Sequence, residues 1–340
     1  MALSKIELQN FRNHKHFTAH IPQMIYIHGD NGAGKTSLTE SIYLLLTLKT
    51  FRHDNIADIK MFGETYLRIK GEFSSENIDN AVYFHRDKRT VMIDGAEQQN
   101  LSEYIYMLPA ICYSPGFESL FSQQHIERRQ FLDRMIFYTE PAHLYDIRQY
   151  NALLARKRAA LDKEIPDEEL ISVLNERALP LSETISGRRQ AAVRAVNEQL
   201  AMNPMQASAF MPGMNLTLNI STLRDRDDKK EINAGRPLYG AHKDLLYLKQ
   251  GERTVEKFQS FGQKKAALLF LLYNFAIRVE EYRKCGIIVL LDDFEAGLDV
   301  RRCEILSELF LSGASEKRQL FLTGLNVRHY KGAETLALTV

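Results

Sequence analysis

The chain has 340 residues, with 44 Lys+Arg against 43 Asp+Glu, 45% hydrophobic and 26% charged residues. That balance excludes a disordered or fibrous chain and admits one large domain or two modest ones. A net charge of +1 leaves any nucleic-acid partner to be met by local basic surface, because the field of the whole protein is close to zero.

Cys112, Cys285 and Cys303 are far apart and form no C-x-x-C pair. They argue against a disulfide scaffold or a zinc site and fit a reducing compartment. The ten histidines are scattered without metal-ligand spacing such as H-E-x-x-H. The opening MALSKIELQNF alternates polar and apolar residues and offers no signal-peptide core. The longest apolar stretch, Ala266 to Ile277, falls short of the roughly 20 residues that span a bilayer. The expectation is a cytoplasmic protein with no membrane partner.

In chain order, Lys5 to Phe11 alternates as a strand, and Met24 to Ile27 is a short apolar strand ending at Gly29. A helix is predicted from Lys35, with Leu38, Ile42, Leu45 and Leu46 on one face. Tyr66 to Phe73 and Ala81 to Ile93 read as antiparallel strands, the second turning at Arg86-Asp87-Lys88. Ile111-Cys112-Tyr113 is a further strand. From Ser122 to Met202 glycine nearly vanishes, and Leu144, Ile147, Leu153 and Leu154 recur at helical spacing, with Pro166 and Pro180 predicted to separate helices. Strands return at Met214 to Ile220 and Leu245 to Leu248. The tail alternates helix (Lys264 to Tyr282), strand (Ile287 to Leu291), helix (Arg301 to Leu311) and strand (Leu320 to Thr323), as a mainly parallel α/β core would.

Gly29-Asp30-Asn31-Gly32-Ala33-Gly34-Lys35-Thr36 fits G-x-x-x-x-G-K-[ST] in full. Small residues let backbone N–H groups turn toward phosphates, and the following helix adds its positive end. Lys35 supplies charge to the β/γ-phosphates, and the Thr36 hydroxyl is a Mg²⁺ ligand. The predicted nucleotide contacts are therefore Gly29, Asp30, Asn31, Gly32, Ala33, Gly34, Lys35, Thr36 and Ser37, with ATP and Mg²⁺ as the groups bound. A buried strand, Ile287 to Leu291, ends in Asp292-Asp293, where a positive partner must neutralise the carboxylates. Asp292 suits the metal shell with Thr36. Asp293 suits acceptance of a proton from attacking water, or else caps the following turn.

Ser260-Phe261-Gly262-Gln263 opens the helix just upstream of that strand. An S-x-G-Q at a helix start is either a simple cap or a second phosphate-binding end. Its place between the 29–36 loop and the Asp292-Asp293 pair resembles the signature of ABC ATPases. That resemblance implies that Ser260, Gly262 and Gln263 join Lys35 and Asp293 in catalysis by reaching the nucleotide of a partner subunit. Gly297-Leu298-Asp299 then resembles a D-loop.

A narrower resemblance covers nearly the whole chain. Asn10-Phe11-Arg12-Asn13, Glu40 to Leu45, Phe51-Arg52, Glu127 to Asp133, Tyr150 to Leu154, Gly240-Ala241-His242-Lys243-Asp244-Leu245 and Phe258 to Gln263 are similar to the RecF family. The resemblance implies an α/β, ABC/SMC-like P-loop ATPase head with an antiparallel β subdomain and an inserted helical lobe. Residues 1–117 and 213–340 would form the head, and 118–212 the lobe. It further implies an ATP-dependent homodimer on double-stranded or gapped DNA, slow DNA-stimulated hydrolysis, and work with RecR and RecO in loading RecA. Phe261, Lys243 and Gly297 depart from the family pattern, and Phe261 and Gly297 favour the alternative of a nucleotide-gated scaffold that hardly hydrolyses. Thr323 stands where transporters place a switch histidine, and Gln123 or Gln124 is the candidate Q-loop residue. The basic clusters Arg128-Arg129, Arg156-Lys157-Arg158, Arg188-Arg189 and Lys264-Lys265 are open to either reading, DNA contact or solvated and paired helix faces.

Overall fold

The computed structural model describes residues 2–51, 56–73, 78–85, 88–115, 117, 125–202, 210–283, 286–312, 317–325, 330 and 332–338. Arg52, the turn residues Arg86 and Asp87, Gln123, Gln124 and Cys285 lie outside them. The chain divides into two compact units, 1–117 with 268–340, and 118–267.

In the first unit β1 (Leu3–Phe11) turns Leu3, Ile6, Leu8 and Phe11 into the core. It pairs antiparallel with β2 (His14–His20) and β4 (Tyr66–Phe73). With β5 (Ile78–His85), β6 (Lys88–Ile93) and β7 (Ala96–Glu97) these form a six-stranded sheet in the order β2-β1-β4-β5-β6-β7. A second sheet is parallel throughout and runs β14-β3-β13-β12-β8. Its strands are β3 (Met24–His28), β8 (Ala110–Tyr113), β12 (Ile287–Leu291), β13 (Arg318–Gly324) and β14 (Glu334–Ala337). Every residue of β12 is buried, which is why that strand reads as an unbroken apolar run. Helix α1 (Lys35–Thr47) starts where the spacing predicts and buries Leu38, Ile42, Leu45 and Leu46 in one core with residues of both sheets. Short helices α2 (Ile56–Ile59) and α3 (Leu101–Met107), and α10 (Val300–Ser312), also belong to this unit, as does the larger part of the helix Phe261–Tyr282. The fold is the expected α/β, with a parallel core and an antiparallel sheet.

The second unit holds α4 (His125–Thr139), α5 (Ala142–Leu161) and α6 (Glu168–Met202). Then come β9 (Met214–Asn219), α7 (Asp228–Ala234), a 3-10 turn at Ala241–Lys243, β10 (Leu245–Gln250), β11 (Arg253–Thr254) and α8 (Val255–Phe258). Helix α9 (Phe261–Tyr282) begins here. Two expectations are corrected. Residues 213–267, expected with the head, group with the helices because β11-β10-β9 form their own antiparallel sheet. The Asn197 amide on α6 holds the Leu216 N–H and carbonyl at 2.8 Å each, which ties β9 to the helix. Pro180, expected to separate helices, lies inside α6. It is exposed, so its missing N–H and its ring fall on the solvent side, while buried Ala178, Ser182, Ile185 and Arg189 keep the helix continuous on the other.

Candidate functional site

The residues singled out in the first unit converge at the carboxyl ends of parallel strands, where α/β sheets place their ligands. The loop 29–34 joins β3 to α1. Gly34 caps α1 at φ +94°, a left-handed value that favours glycine. A Cβ there would lie 2.7 Å from His14 Nε2. At Gly29 a Cβ would lie 2.3 Å from the Leu338 carbonyl oxygen. The loop is therefore shaped around the absence of side chains. No side chain caps α1, and its first turn carries no acid. The N–H groups and the positive end of the helix dipole are left for an anion. Lys35 Nζ reaches back over the loop and donates to the carbonyls of Gly29 (2.6 Å) and Asp30 (2.9 Å).

Asp292 follows β12 and is fully buried. Its Oδ1 accepts from Thr323 Oγ1 at 2.7 Å and lies 3.4 Å from Thr36 Oγ1. The same Thr323 oxygen, on β13, accepts from the Asp293 backbone N–H at 2.8 Å. One buried hydroxyl thus spans both carboxylate residues. Asp293 adopts φ +49°, a conformation that costs a non-glycine residue about 1–2 kcal/mol and needs such a bond to hold it. Its carbonyl accepts from the Ala296 N–H at 3.3 Å to start the following turn, and the residue lines the cleft. Thr36 and Asp292 are hard oxygen donors side by side, a set that fits Mg²⁺.

The cleft has a volume of about 590 Å³, within the usual range for a small-molecule site. Asn31, Gly32, Gly34, Lys35, Thr36, Ser37, Asp292 and Asp293 line it, together with Arg12, Lys60 and Thr323. Arg12 and Lys60 were not foreseen as site residues. Arg12 makes a two-pronged ion pair with Glu40, which has no exposed side-chain surface, with contacts of 2.8 to 3.0 Å. It also donates to the Asp58 carbonyl at 3.0 Å. The only sequence hint was that Arg12 and Glu40 each fall in a family-like stretch.

The signature residues lie in the second unit. Ser260 and Gln263 form a reciprocal capping box: the Ser260 N–H donates to Gln263 Oε1 at 2.9 Å, and the Gln263 N–H to Ser260 Oγ at 3.4 Å. Ser260 and Phe261 are exposed, and Gly262 and Gln263 half-buried. Back in the first unit, Asp299 caps α10 through the Arg302 N–H at 2.9 Å, and Gly297 takes φ +75°.

The basic clusters are mostly structural. Arg128 is buried and donates to the Leu246 carbonyl, and Arg129 donates to that of Asp244. Lys157 pairs with buried Glu231 at 2.5 Å. Arg188 pairs with Asp146 and Glu140, and Arg189 with Asp133 and Asp244. Lys265 is buried too.

The family model described as "RecF/RecN/SMC N terminal domain" matches residues 2–339. The chain belongs to that family. Within it, the resemblance to RecF holds across the curated relatives. The DNA replication and repair protein RecF of Leptospira biflexa is 28% identical over 337 residues, covering 95% of this chain and 91% of the relative. The protein of the same name from Acholeplasma laidlawii is 27% identical, covering 94% and 93%. Among solved structures, "Structure of the recombination mediator protein RecF-ATP in RecFOR pathway" aligns with a TM-score of 0.82 at 22% identity, over 96% of this chain and 93% of that one. An Smc head bound to the C-terminal winged-helix domain of ScpA aligns at 0.55 and 14%, over 96% and 90%. These structures share the fold. Among the described residues, no helix is long and apolar enough to cross a membrane.

Proposed function

We propose that this family member is an ATP-dependent DNA-binding protein of recombinational repair and replication. In this reading it dimerises on ATP as a clamp on double-stranded or gapped DNA and helps to load a recombinase. The observation that carries the ATP part is the convergence of Lys35, Thr36, Asp292, Asp293 and Thr323 on one cleft at the carboxyl ends of the parallel strands. The repair part is supported by relatives named as RecF proteins and by the similarity to a RecF solved with ATP. Work with RecR and RecO is the corresponding partner assignment.

The phosphates sit on the 29–34 loop, with residues to Ser37 at the helix start, and Lys35 exchanges its two carbonyl contacts for phosphate oxygens. Mg²⁺, held by Thr36 and Asp292, would neutralise charge on the phosphates. Asp293 accepts a proton as water attacks the terminal phosphorus, and ADP and inorganic phosphate leave. Ser260, Gly262 and Gln263 offer a helix start to the nucleotide held by a second copy of the chain. Hydrolysis is then slow, is stimulated by DNA and resets the dimer. Phe261, 60% exposed at the start of α9, favours one alternative, a nucleotide-gated scaffold with little hydrolysis.

Phosphate release measured with and without duplex DNA separates the two. The proposed ATPase turns over ATP faster with DNA, and Asp293→Asn loses turnover by about 10²-fold or more while still binding ATP. Turnover that neither DNA nor Asp293→Asn alters would leave the scaffold reading standing.

A further inference from the structure

The segment Gly240-Ala241-His242-Lys243-Asp244-Leu245, conspicuous in the sequence, has no part in the ATP cleft. Its backbone is held by hydrogen bonds with three side chains, Ser182, Arg189 and Arg129. Gly240 takes φ +115° and ψ 179°, a region open essentially only to glycine. A Cβ there would stand 2.3 Å from Tyr150 Oη. The Ala241 N–H donates to Ser182 Oγ at 2.9 Å, and the Ala241 carbonyl accepts from Arg189 Nη1 at 2.6 Å. Asp244, fully buried, accepts from Ser186 Oγ (2.8 Å), Arg189 Nη1 (2.9 Å) and the Ser221 N–H (3.0 Å). Its carbonyl accepts from Arg129 Nη1 at 2.7 Å. Helices α4 and α6 therefore clamp the turn from both sides.

What the clamp presents is positive charge. Arg129 holds the carbonyl of Asp244 next to Lys243. The Arg236 N–H donates to the Glu231 carbonyl at 3.3 Å, and Arg158 follows Lys157, whose ammonium reaches the Glu231 carboxylate. Lys243 feels all three arginines and, as the one acid, Glu231. Glu231 is already committed: it pairs with Lys157 at 2.5 Å and accepts from the Leu238 N–H at 2.7 Å. Burial, and then those three arginines, hold the Lys243 ammonium below the usual lysine range. Arg158 and Arg236 are exposed and Lys243 half-buried. Among the described residues, none of these three side chains makes an ion pair or a hydrogen bond. Half-buried Asp133 and fully buried Asp244 are both neutralised by Arg189.

Four like charges on α4, on α5, just beyond α7 and on the 3-10 turn repel one another. A scaffold built this tightly to keep them together calls for an external anion. The cations come from separate elements and carry two long arginine forks and an ammonium free to bind. That arrangement suits several phosphates spaced along a chain better than a single small ion.

We propose that Lys243, Arg158 and Arg236, backed by Arg129, form a docking surface for the phosphate backbone of duplex DNA. The proposal rests on the DNA-binding reading above and adds a location that the basic doublets in the sequence did not give.

The test uses the full chain with Mg²⁺ and a non-hydrolysable ATP analogue. Binding of a labelled 30-base-pair duplex is followed by anisotropy from about 50 to 200 mM KCl. The triple variant Lys243→Gln, Arg158→Gln, Arg236→Gln is compared with wild type and with a control, Lys163→Gln, Lys229→Gln, Arg194→Gln, that removes three exposed cations elsewhere on the same unit. Each released contact contributes about 0.9 to the slope of log affinity against log salt. The triple variant should therefore have a slope shallower by about 2.7, so that wild type loses about 40-fold more affinity than it does across that range. The control should follow wild type. Unchanged far-ultraviolet circular dichroism and nucleotide binding in the triple variant would show that it is folded.

A triple variant that matches wild type in slope and affinity overturns this location while leaving the DNA reading intact. A wild-type chain that does not bind duplex overturns both. If the triple variant loses poly-glutamate binding but keeps duplex binding, the surface belongs to an acidic protein partner and the proposal fails.

Discussion

Replacing Thr323 with Val keeps the shape of a fully buried side chain and removes one hydroxyl that does two things. It donates to Asp292 Oδ1 at 2.7 Å and accepts from the Asp293 N–H at 2.8 Å. The first bond is to a carboxylate, and such bonds contribute about 1.5–3 kcal/mol. Loss of the second leaves a backbone donor without that partner beside a residue at φ +49°, at a cost of about 1–3 kcal/mol. The two losses share an atom and do not simply add, so a destabilisation of about 3 kcal/mol is expected. Denaturant unfolding followed by circular dichroism reads it. Freed of its anchor, Asp293 spends less time aimed at the cleft. Turnover of ATP should fall by about 10-fold or more, with ATP affinity changed by less than about 3-fold. Thr323→Ser, which restores the hydroxyl, should recover most of both losses. A Thr323→Val protein as stable and as active as wild type would refute the bridging role.

Arg12→Ala takes the two-pronged guanidinium partner from the Glu40 carboxylate, which has no exposed side-chain surface. It should destabilise the protein by about 3–5 kcal/mol, and Arg12→Met with Glu40→Gln by clearly less; urea titrations of the two variants check the order. His242 gives a pH signature. Burial pushes its imidazole down to about 3, and the nearby Lys243, Arg158 and Arg129 charges act in the same direction. Its Nδ1 lies 2.9 Å from the Tyr150 hydroxyl, an arrangement that suits a neutral ring. The unfolded chain protonates this ring as pH falls through about 6.5 while the folded chain does not. Its contribution is therefore fully present above about pH 7 and is lost as pH falls toward 3, by about 2 kcal/mol at pH 5. His242→Asn should flatten the stability profile between pH 7 and 5 relative to wild type, and identical slopes would refute the assignment.

The nucleotide loop was legible because its signal is local. Eight consecutive residues, an apolar strand before them and a helix after them require no knowledge of distant contacts. The same holds for Ile287 to Asp293, where burial on both faces of the strand leaves an uninterrupted apolar run. The parts that were not legible depend on partners far away in the chain. Arg12 meets Glu40 through space, and Thr323 joins two aspartates from a neighbouring strand. Basic doublets look alike whether solvated or buried, and only the fold shows that Arg128, Lys157 and Arg189 serve backbone carbonyls and buried acids. Pro180 misled because proline was weighed by its local cost, without the packing on the opposite face of α6. Residues 213–267 were placed with the head because strand character does not say which sheet a strand will join.

In the proposed clamp, ATP brings two copies of the chain together, with Lys35 of one and Ser260 of the other on the same nucleotide. Light scattering in solution measures this directly, with Mg²⁺ and ADP, ATP or a non-hydrolysable analogue, beside Lys35→Met and Ser260→Arg. The expected molar mass is near 39 kDa with ADP and doubles with ATP or the analogue, in wild type but in neither variant. A mass that stays at one chain while ATP is bound, or a Ser260→Arg protein that dimerises as wild type does, would contradict it.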